Sequence, residues 1–375
     1  MIQKIYADNA ATTKLDEEAL EAMLPYLQMQ YGNASQPYLF ASAAREALNA
    51  ARKTIADCIN ADPSEIFFTS GGSESDNWAV KGAYFSNRKN IVTSSIEHHA
   101  ILNSVQYLEK FGCSAKYLPV NTLGVVLPQT LYNNLDDADG IVSIMYANNE
   151  IGTIEPIKEL AEIAHKQGCL FHTDAVQAVG HVVIDVCDLR VDMLSSSAHK
   201  FNGPKGIGFL YKKTGVEIDN YIHGGAQEHG YRAGTENIAA IVGMATALKN
   251  NMKNIHVNQA TLKELDNYLM QELSVSGLQY IRNGNPDNRL PGNISLSFNG
   301  ADGETLLHRL DLKGISVSTG AACDSVNTQI SHVLSAISLD REYAEGTIRI
   351  SLGKENTFDD VKYIVAALTN ILKRH

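Results

Sequence analysis

Long apolar stretches are absent from this 375-residue sequence, and none approaches the roughly 18 to 20 residues of a membrane-spanning helix. The first 13 residues also lack the succession of basic, apolar and small residues that marks a signal peptide. Asp8 lies in this segment, whereas transit peptides contain few acidic residues. We therefore expect a cytoplasmic protein without a membrane-spanning segment.

Cysteine is scarce: the chain has five, they are scattered, and no two form a CxxC pair. An odd number of scattered cysteines fits neither a disulfide framework nor a zinc site, and we expect no metal centre. Reduced core residues are therefore expected at Cys58, Cys113, Cys169 and Cys187.

Basic residues are outnumbered, because 31 lysines and arginines stand against 42 aspartates and glutamates for a net charge of -11. Such a surface repels phosphate backbones, so direct nucleic-acid binding is not expected. Hydrophobic residues make up 44% of the chain, which is enough for a substantial core and about two domains.

The first 210 residues or so alternate between two hydrophobic periods. Helical spacing covers residues 17–29, 41–60, 73–86, 100–111 and 157–167. Short β-rich runs lie at residues 65–69, 90–94, 115–119, 140–146, 169–173, 192–196 and 207–211. This alternation predicts an α/β fold whose large domain has a mainly parallel sheet flanked by helices. Ligands of such a sheet bind beyond the carboxyl ends of the strands.

The regular alternation of predicted helices and strands ends in the last third of the chain. Residues 237–272 have a long helical pattern, and a loop rich in Asn, Gly and Pro follows at 282–292. Strands are predicted at 293–298, 315–318 and 347–351, and helices at 302–312, 328–334 and 358–372. We expect a large domain of residues 16–260 and a smaller α+β domain of residues 1–15 and 261–375.

Two strand ends carry residues that suggest chemistry. One predicted strand ends at Asp174, with Gln177 one helical turn later. An acid at this position faces the ligand crevice, although it could instead cap the next helix. Lys200 follows another strand and precedes a Gly/Pro turn, where a Schiff-base lysine would emerge. A solvated surface lysine fits that position as well.

A glycine turn, Ser70-Gly71-Gly72-Ser73, opens a predicted helix and offers backbone amides to a phosphate. The turn is neither GxGxxG nor a Walker loop, and an ordinary capped helix fits it equally well. Taken together, a phosphate cradle, a lysine and an acid suit pyridoxal phosphate. That cofactor needs an anchor, an imine partner and a pyridinium partner.

A series of short motifs gives the chain a resemblance to a known family. The motifs are Asp8-Asn9-Ala10-Ala11-Thr12-Thr13, Gly71-Gly72-Ser73-Glu74-Ser75, Glu97-His98, Asn148-Asn149-Glu150-Ile151-Gly152, His172-Thr173-Asp174-Ala175-Val176-Gln177, His199-Lys200, Arg232-Ala233-Gly234-Thr235 and Ala322-Cys323. In this order they resemble the cysteine desulfurases of the NifS and IscS type over nearly the whole chain.

This resemblance implies fold type I of the pyridoxal 5'-phosphate enzymes, class V aminotransferase-like, and a homodimer. It implies a reaction that converts L-cysteine to L-alanine and leaves the sulfur on Cys323 as a persulfide. Cys323 would lie in a loop of the smaller domain. The sulfur would pass to an acceptor protein, such as an iron-sulfur scaffold or a sulfur carrier.

The resemblance also implies roles for individual residues. Lys200 matches the Schiff-base lysine, Cys323 the sulfur nucleophile, and His98 the histidine that stacks on the ring and transfers protons. Asp174 matches the pyridinium partner, and Arg349 matches the arginine that holds the substrate carboxylate. The cofactor-binding set is Gly72, Ser73, His98, Asn149, Asp174, Gln177, Ser197, His199, Lys200 and, from the partner subunit, Thr235. The substrate-binding set is Asn33, Asn149 and Arg349.

Several positions depart from the usual family pattern. Asp324 stands where threonine is common, His229 where arginine is common, and Tyr38 where many relatives have histidine. A neighbouring carboxylate disfavours a thiolate, so Cys323 is expected to react with an alkylating reagent more slowly than in the Asp324→Thr variant. Equal rates across neutral pH would contradict this expectation.

Two other functions remain open at this point. A different class V enzyme, either a selenocysteine lyase or a small-molecule aminotransferase, would share the cofactor, and an aminotransferase would not need Cys323. A catalytically weak sulfur carrier or assembly scaffold that binds pyridoxal phosphate is the other alternative, and Asp324 motivates it.

Overall fold

The computed structural model describes residues 4–135, 140–319 and 330–373. Its strands are β1 (Ile5–Tyr6), β2 (Ile66–Thr69), β3 (Asn90–Ser94), β4 (Ser114–Leu118), β5 (Gly140–Ser143), β6 (Leu170–Asp174), β7 (Met193–Ser197), β8 (Gly208–Lys212), β9 (Ile281–Arg282), β10 (Asn293–Ser297), β11 (Ile315–Ser316) and β12 (Thr347–Ser351). Its α-helices are α1 (Glu17–Gln28), α2 (Ser42–Ile59), α3 (Gly72–Phe85), α4 (His99–Glu109), α5 (Pro128–Asn134), α6 (Ile157–Lys166), α7 (Val186–Leu189), α8 (Ile238–Lys253), α9 (Ile255–Ser276), α10 (Gly303–Asp311), α11 (His332–Ala336), α12 (Arg341–Ala344) and α13 (Phe358–Leu372).

A seven-stranded sheet with the order β2-β8-β7-β6-β5-β3-β4 forms the centre of the fold. The strands from β4 through β7 in this order pair in parallel, which confirms the predicted mainly parallel sheet. Strand β8 is antiparallel to both β7 and β2. Its connection from β7 spans only residues 198–207, which is too short for the crossover that a parallel pairing requires.

The two faces of this sheet pack against different helices. Ile91 belongs to an apolar cluster with residues of α3 and α4, whereas its neighbour Val92 belongs to a cluster with residues of α2, α6 and α8. Successive side chains of a strand point to opposite faces, so a strand covered on both sides needs apolar residues throughout. This explains why the central strands are continuous apolar runs in the sequence.

A third apolar cluster unites the beginning and the end of the chain. Ile5 and Ala7 pack with buried residues of α9, α10 and α13 and of the three-stranded sheet β12-β10-β9. Strand β1 pairs in parallel with β11, which joins the N-terminal segment to this region. The arrangement is consistent with a smaller domain that includes residues 1–15, while the boundaries stay a prediction.

The structure corrects two details of the helical prediction. The long helical pattern of residues 237–272 forms two helices, because the backbone leaves helical geometry at Asn254. The helix expected at residues 328–334 is observed as His332–Ala336, and the Ser331 side chain accepts a hydrogen bond from the Val333 amide at its start. Residues 328 and 329 lie outside the described part of the chain.

The cysteines also differ from expectation. Cys113 and Cys169 are buried, as predicted, but Cys58 is only partly buried and Cys187 is exposed. Cys187 lies in the four-residue helix α7, where its Sγ is 3.3 Å from the carbonyl oxygen of Asn60. A short surface helix buries few of its residues, so the core assignment of Cys187 is wrong.

No helix within residues 4–135, 140–319 and 330–373 is long and apolar enough to cross a bilayer.

Candidate active site

A cavity of about 630 Å³ lies at the carboxyl ends of the central strands. Asp174 at the end of β6, Ser197 at the end of β7 and Met145 beyond β5 all line it, as expected for a parallel sheet. The predicted site residues that line it are Gly72, Ser73, His98, Asn149, Asp174, Gln177, Ser197, His199, Lys200 and Arg349.

Two predicted site residues that the structure describes do not line the cavity. Thr235 is exposed, and Asn33 is half-buried, with its side-chain oxygen accepting a hydrogen bond from the Ser35 amide. Cys323 and its neighbour Asp324 lie outside the described residues. The roles expected for these residues therefore stay predictions.

Asp174 forms part of the cavity floor and is 5% exposed. Its Oδ1 accepts a hydrogen bond of 2.9 Å from the Val176 amide, so the carboxyl both caps the following turn and lines the cavity. Burial raises the pKa of Asp174, while the positive charge of Lys200 and the hydrogen bond from the Val176 amide oppose that rise. These partners favour the ionised form of this carboxyl.

Asp76 is a second buried carboxyl in the wall of the same cavity, and the sequence did not single it out. Burial and the negative charge of Asp174 raise its pKa well above the usual value, and a hydrogen bond with Ser195 opposes this only in part. Two neighbouring buried carboxyls cannot both ionise at low cost. Lys200 opposes the rise at Asp174, so Asp76 is the more readily protonated carboxyl of the two.

A buried histidine, His172, lies behind the cavity floor, and its Nε2 is 3.8 Å from Asp76 Oδ1. The Nδ1 of His172 lies 2.9 Å from Ser143 Oγ, and its Nε2 lies 2.9 Å from Ser195 Oγ. Burial lowers the pKa of His172 to about 3, so the ring is neutral and one of its nitrogens must accept. One ring nitrogen of His172 therefore donates and the other accepts, while Asp76 Oδ1 has no hydrogen-bond partner among the described residues.

The N-terminal motif crosses the cavity and holds two of its polar side chains. Lys200 Nζ donates to the carbonyl oxygens of Ala10 and Ala11, at 2.6 and 2.9 Å. Gln177 Nε2 donates to the same Ala10 oxygen at 3.0 Å. The motif is fixed in turn because the Thr13 amide donates to the His199 carbonyl oxygen at 2.9 Å.

His98 is the N-cap residue of helix α4, and one of its ring nitrogens is identified as the protonated one. Its Nδ1 accepts a hydrogen bond of 3.1 Å from the Ala100 amide, so the neutral ring is protonated at Nε2. Burial lowers the pKa of His98, Lys200 and His99 lower it further, and Asp174 opposes them. The site thus contains a neutral imidazole that can donate from Nε2.

The start of helix α3 forms another wall of the cavity. Gly71 has φ 150° and ψ -177°, a conformation that side chains rarely allow. A Cβ on Gly72 would lie 2.5 Å from Cγ2 of Val176, so the close approach also requires glycine there. The first amides of a helix have no acceptor within the helix, and they attract anions.

His199 and Ser197 line this end of the cavity as well. His199 Nδ1 lies 3.1 Å from Thr12 Oγ1. Burial, Lys200 and Lys205 lower the pKa of His199 to about 4, so its ring is neutral near pH 7. Together with the helix amides, these groups are hydrogen-bond donors that suit a phosphate. They suit a metal ion such as Mg²⁺ less well, because such ions prefer carboxylate oxygens.

Arg349 in strand β12 is buried beside the cavity, and its charge is balanced within the chain. Its Nη2 donates to Asp8 Oδ1 at 2.7 Å, and its Nη1 donates to the Asn149 carbonyl oxygen at 3.0 Å. Nε finds no acceptor among the described residues. A guanidinium has five donors, so several remain for a carboxylate that enters the cavity.

The amino-acid sequence of the chain is similar to those of known proteins over nearly its whole length. The family described as "Aminotransferase class-V" matches residues 5–364. A protein named "Cysteine desulfurase IscS" from Clostridium botulinum is 48% identical, over 100% of this chain and 96% of that protein. A protein of the same name from Methanosarcina thermophila is 47% identical, over 99% of this chain and 92% of that protein.

The fold of the chain is similar to those of solved structures. A structure titled "NIFS-LIKE PROTEIN" has a TM-score of 0.94 and 38% identity and covers 100% of both chains. One titled "SspA in complex with cysteine" has a TM-score of 0.84 and 34% identity, over 94% of this chain and 100% of that one.

Proposed function

The chain belongs to the class-V aminotransferase family as a cysteine desulfurase of the NifS and IscS type, and we propose how its cavity performs that activity. In this proposal the cavity holds pyridoxal 5'-phosphate and converts L-cysteine to L-alanine. The observation that carries it is the gathering of Lys200, Asp174, His98 and Gln177 around one cavity with a glycine-lined helix start.

The residues present fit this cofactor at three points. The first turn of α3, at Gly72 and Ser73, lines the cavity and offers backbone amides to a phosphate. Asp174 offers an ionised carboxylate to a protonated ring nitrogen, and Lys200 offers an amine to an aldehyde. When bound, pyridoxal phosphate supplies an electron sink that stabilises negative charge at the α-carbon of an amino acid.

The catalytic side chains have separable tasks in this proposal. Lys200 would hold the cofactor through its amine, and the same amine, once free, would be the base for the α-proton of the substrate. Asp174 keeps a proton on the ring nitrogen, and His98 donates a proton from Nε2 during the reaction. Gln177 and Asn149 orient the ring.

The substrate end of the cavity requires residues from two regions. Arg349 binds the carboxylate of cysteine beside Asn149, and the resemblance adds Asn33 to the substrate-binding set. The thiolate of Cys323 attacks the substrate sulfur, so that a sulfur-sulfur bond forms and the carbon-sulfur bond breaks. The electron pair of that bond stays with carbon, which takes up a proton as alanine is formed. The sulfur remains on Cys323 as a persulfide.

We include a second copy of the chain and a sulfur acceptor in the proposal. Helix α1 and the segment after it expose several large apolar side chains, which suits contact with another subunit. These are Leu20, Leu24, Leu27, Met29, Tyr31, Leu39 and Phe40. Thr235 would reach the phosphate of the other subunit. An acceptor such as an iron-sulfur scaffold or a sulfur carrier, in the cytoplasm, would remove the persulfide sulfur.

The cofactor part of this proposal is tested by titrating the cofactor-free protein with pyridoxal 5'-phosphate and recording visible absorption. Saturation at one equivalent per chain is expected. Pyridoxal, which lacks the phosphate, is expected to bind at least about tenfold more weakly, because it forfeits the helix amides and the charge-assisted hydrogen bonds. A protein that shows no saturable visible absorption would contradict the proposal.

A further inference from the structure

A carboxylate occupies the end of the cavity that we assign to the phosphate. Glu74 lies in the first turn of α3, two residues after Gly72, and it lines the cavity. A cofactor phosphate and a carboxylate at the same helix start would compete for the same amides and would repel each other. A carboxylate is therefore expected here only if it stabilises the local backbone and if a positive charge neutralises it.

Glu74 stabilises the glycine turn that precedes helix α3. Glu74 Oε2 accepts a hydrogen bond of 2.7 Å from the Ser70 amide, so the carboxylate reaches back and closes the turn in front of Gly71. The bond joins residues four apart in sequence and so closes the backbone around Gly71 and Gly72. Glu74 therefore holds the glycine turn in the shape that leaves the helix amides facing the cavity.

The counter-charge comes from Arg232, which is 158 residues away in sequence. Its Nε donates to Glu74 Oε1 at 2.8 Å, and its Nη2 donates to Oε2 at 3.2 Å. The two side chains are only 19% and 9% exposed, so solvent screens the pair weakly. Burial raises the pKa of Glu74, but hydrogen bonds from Arg232 and Ser70 outweigh it, so the carboxylate is ionised.

We propose that Arg232 is a positioning residue for the cofactor phosphate, because it neutralises Glu74 and so allows a turn-closing carboxylate to stand beside a bound dianion. This inference rests on the proposed function, since it requires that the phosphate bind at the start of α3. Arg232 also ties the segment that carries Thr235 to the same turn through this pair. Arg232 and Glu74 act as a unit: the acid shapes the turn, and the arginine removes its repulsion.

The test compares cofactor affinity in Arg232→Gln, Glu74→Gln and the double variant, using the full-length protein. Arg232→Gln leaves a bare carboxylate at the phosphate end, so the affinity for pyridoxal 5'-phosphate is expected to fall at least about tenfold, or roughly 1.4 kcal/mol. The affinity for pyridoxal, which has no phosphate, is expected to change less than about twofold. Glu74→Gln in the Arg232→Gln background is expected to restore most of the lost affinity.

A matched control exists elsewhere in the chain. Arg282 binds both carboxylate oxygens of Asp266, at 2.7 and 2.6 Å, and these side chains are 21% and 8% exposed. Neither residue lines the cavity. Arg282→Gln is expected to lower the melting temperature but to leave both cofactor affinities unchanged. Arg232→Lys, which keeps the charge, provides a second probe and is expected to retain affinity within about threefold.

Two results would overturn the proposal. Equal losses of affinity for pyridoxal 5'-phosphate and pyridoxal in Arg232→Gln would show that the pair acts only on the shape of the site. Failure of the double variant to recover affinity over Arg232→Gln would show that repulsion by Glu74 is not the cause. If the unaltered protein binds neither compound, the proposed function itself fails, which is a different outcome.

Discussion

Lys200→Ala is expected to lower alanine formation from L-cysteine by at least about a thousandfold, because it removes both an attaching amine and a base. Nζ of Lys200 donates to the carbonyl oxygens of Ala10 and Ala11, which holds this amine at the cavity. The charge of Lys200 also helps to keep Asp174 ionised. The measurement is alanine released at saturating cofactor and L-cysteine, together with the visible absorption of the protein.

An exposed lysine supplies the control for that variant. Lys158 forms a surface pair with Asp188, and Lys158→Ala is expected to keep full activity because surface ion pairs contribute little. The bound cofactor in Lys200→Ala should be removable by dialysis, whereas it should stay with the unaltered protein. Retention of more than about a tenth of the activity in Lys200→Ala would contradict the role of this amine.

Cys323→Ala is expected to abolish sulfide release from L-cysteine, with a loss of at least about a hundredfold, and to leave cofactor affinity unchanged. The persulfide needs a thiolate at this position, whereas the groups that we assign to holding the cofactor belong to other residues. The measurement is sulfide released under excess reductant, with alanine counted in the same sample.

The same variant separates the competing functions. An aminotransferase does not need Cys323, so transamination would survive its replacement, whereas desulfuration would stop. Cys187→Ala is the matched control, because Cys187 is an exposed thiol outside the cavity, and it is expected to keep full activity. Unchanged sulfide release in Cys323→Ala would show that another group accepts the sulfur.

The sequence was most informative where a pattern has a direct physical cause. The alternation of helical and strand periods predicted the mainly parallel sheet, because strands covered on both faces must be apolar throughout. Asp174 and Lys200 could be proposed from the residues alone, because the ends of such strands meet at one edge. Arg349 could not, because a single arginine in a strand has no distinctive pattern.

The contacts that complete the site depend on pairs that are distant in sequence. Asp8 and Arg349 are 341 residues apart, and Glu74 and Arg232 are 158 apart, so no local period connects them. Asp76 was missed because it follows helical spacing like any other residue of α3. The break at Asn254 was missed because both α8 and α9 have helical apolar spacing.

The most direct test of the account measures alanine and sulfide formed by the purified protein from L-cysteine, with pyridoxal 5'-phosphate and excess reductant. The account predicts equal amounts of the two products, because each carbon-sulfur bond that breaks gives one alanine and one sulfur on Cys323. A protein that binds the cofactor with its visible absorption but forms a keto acid, or forms no alanine, would contradict it.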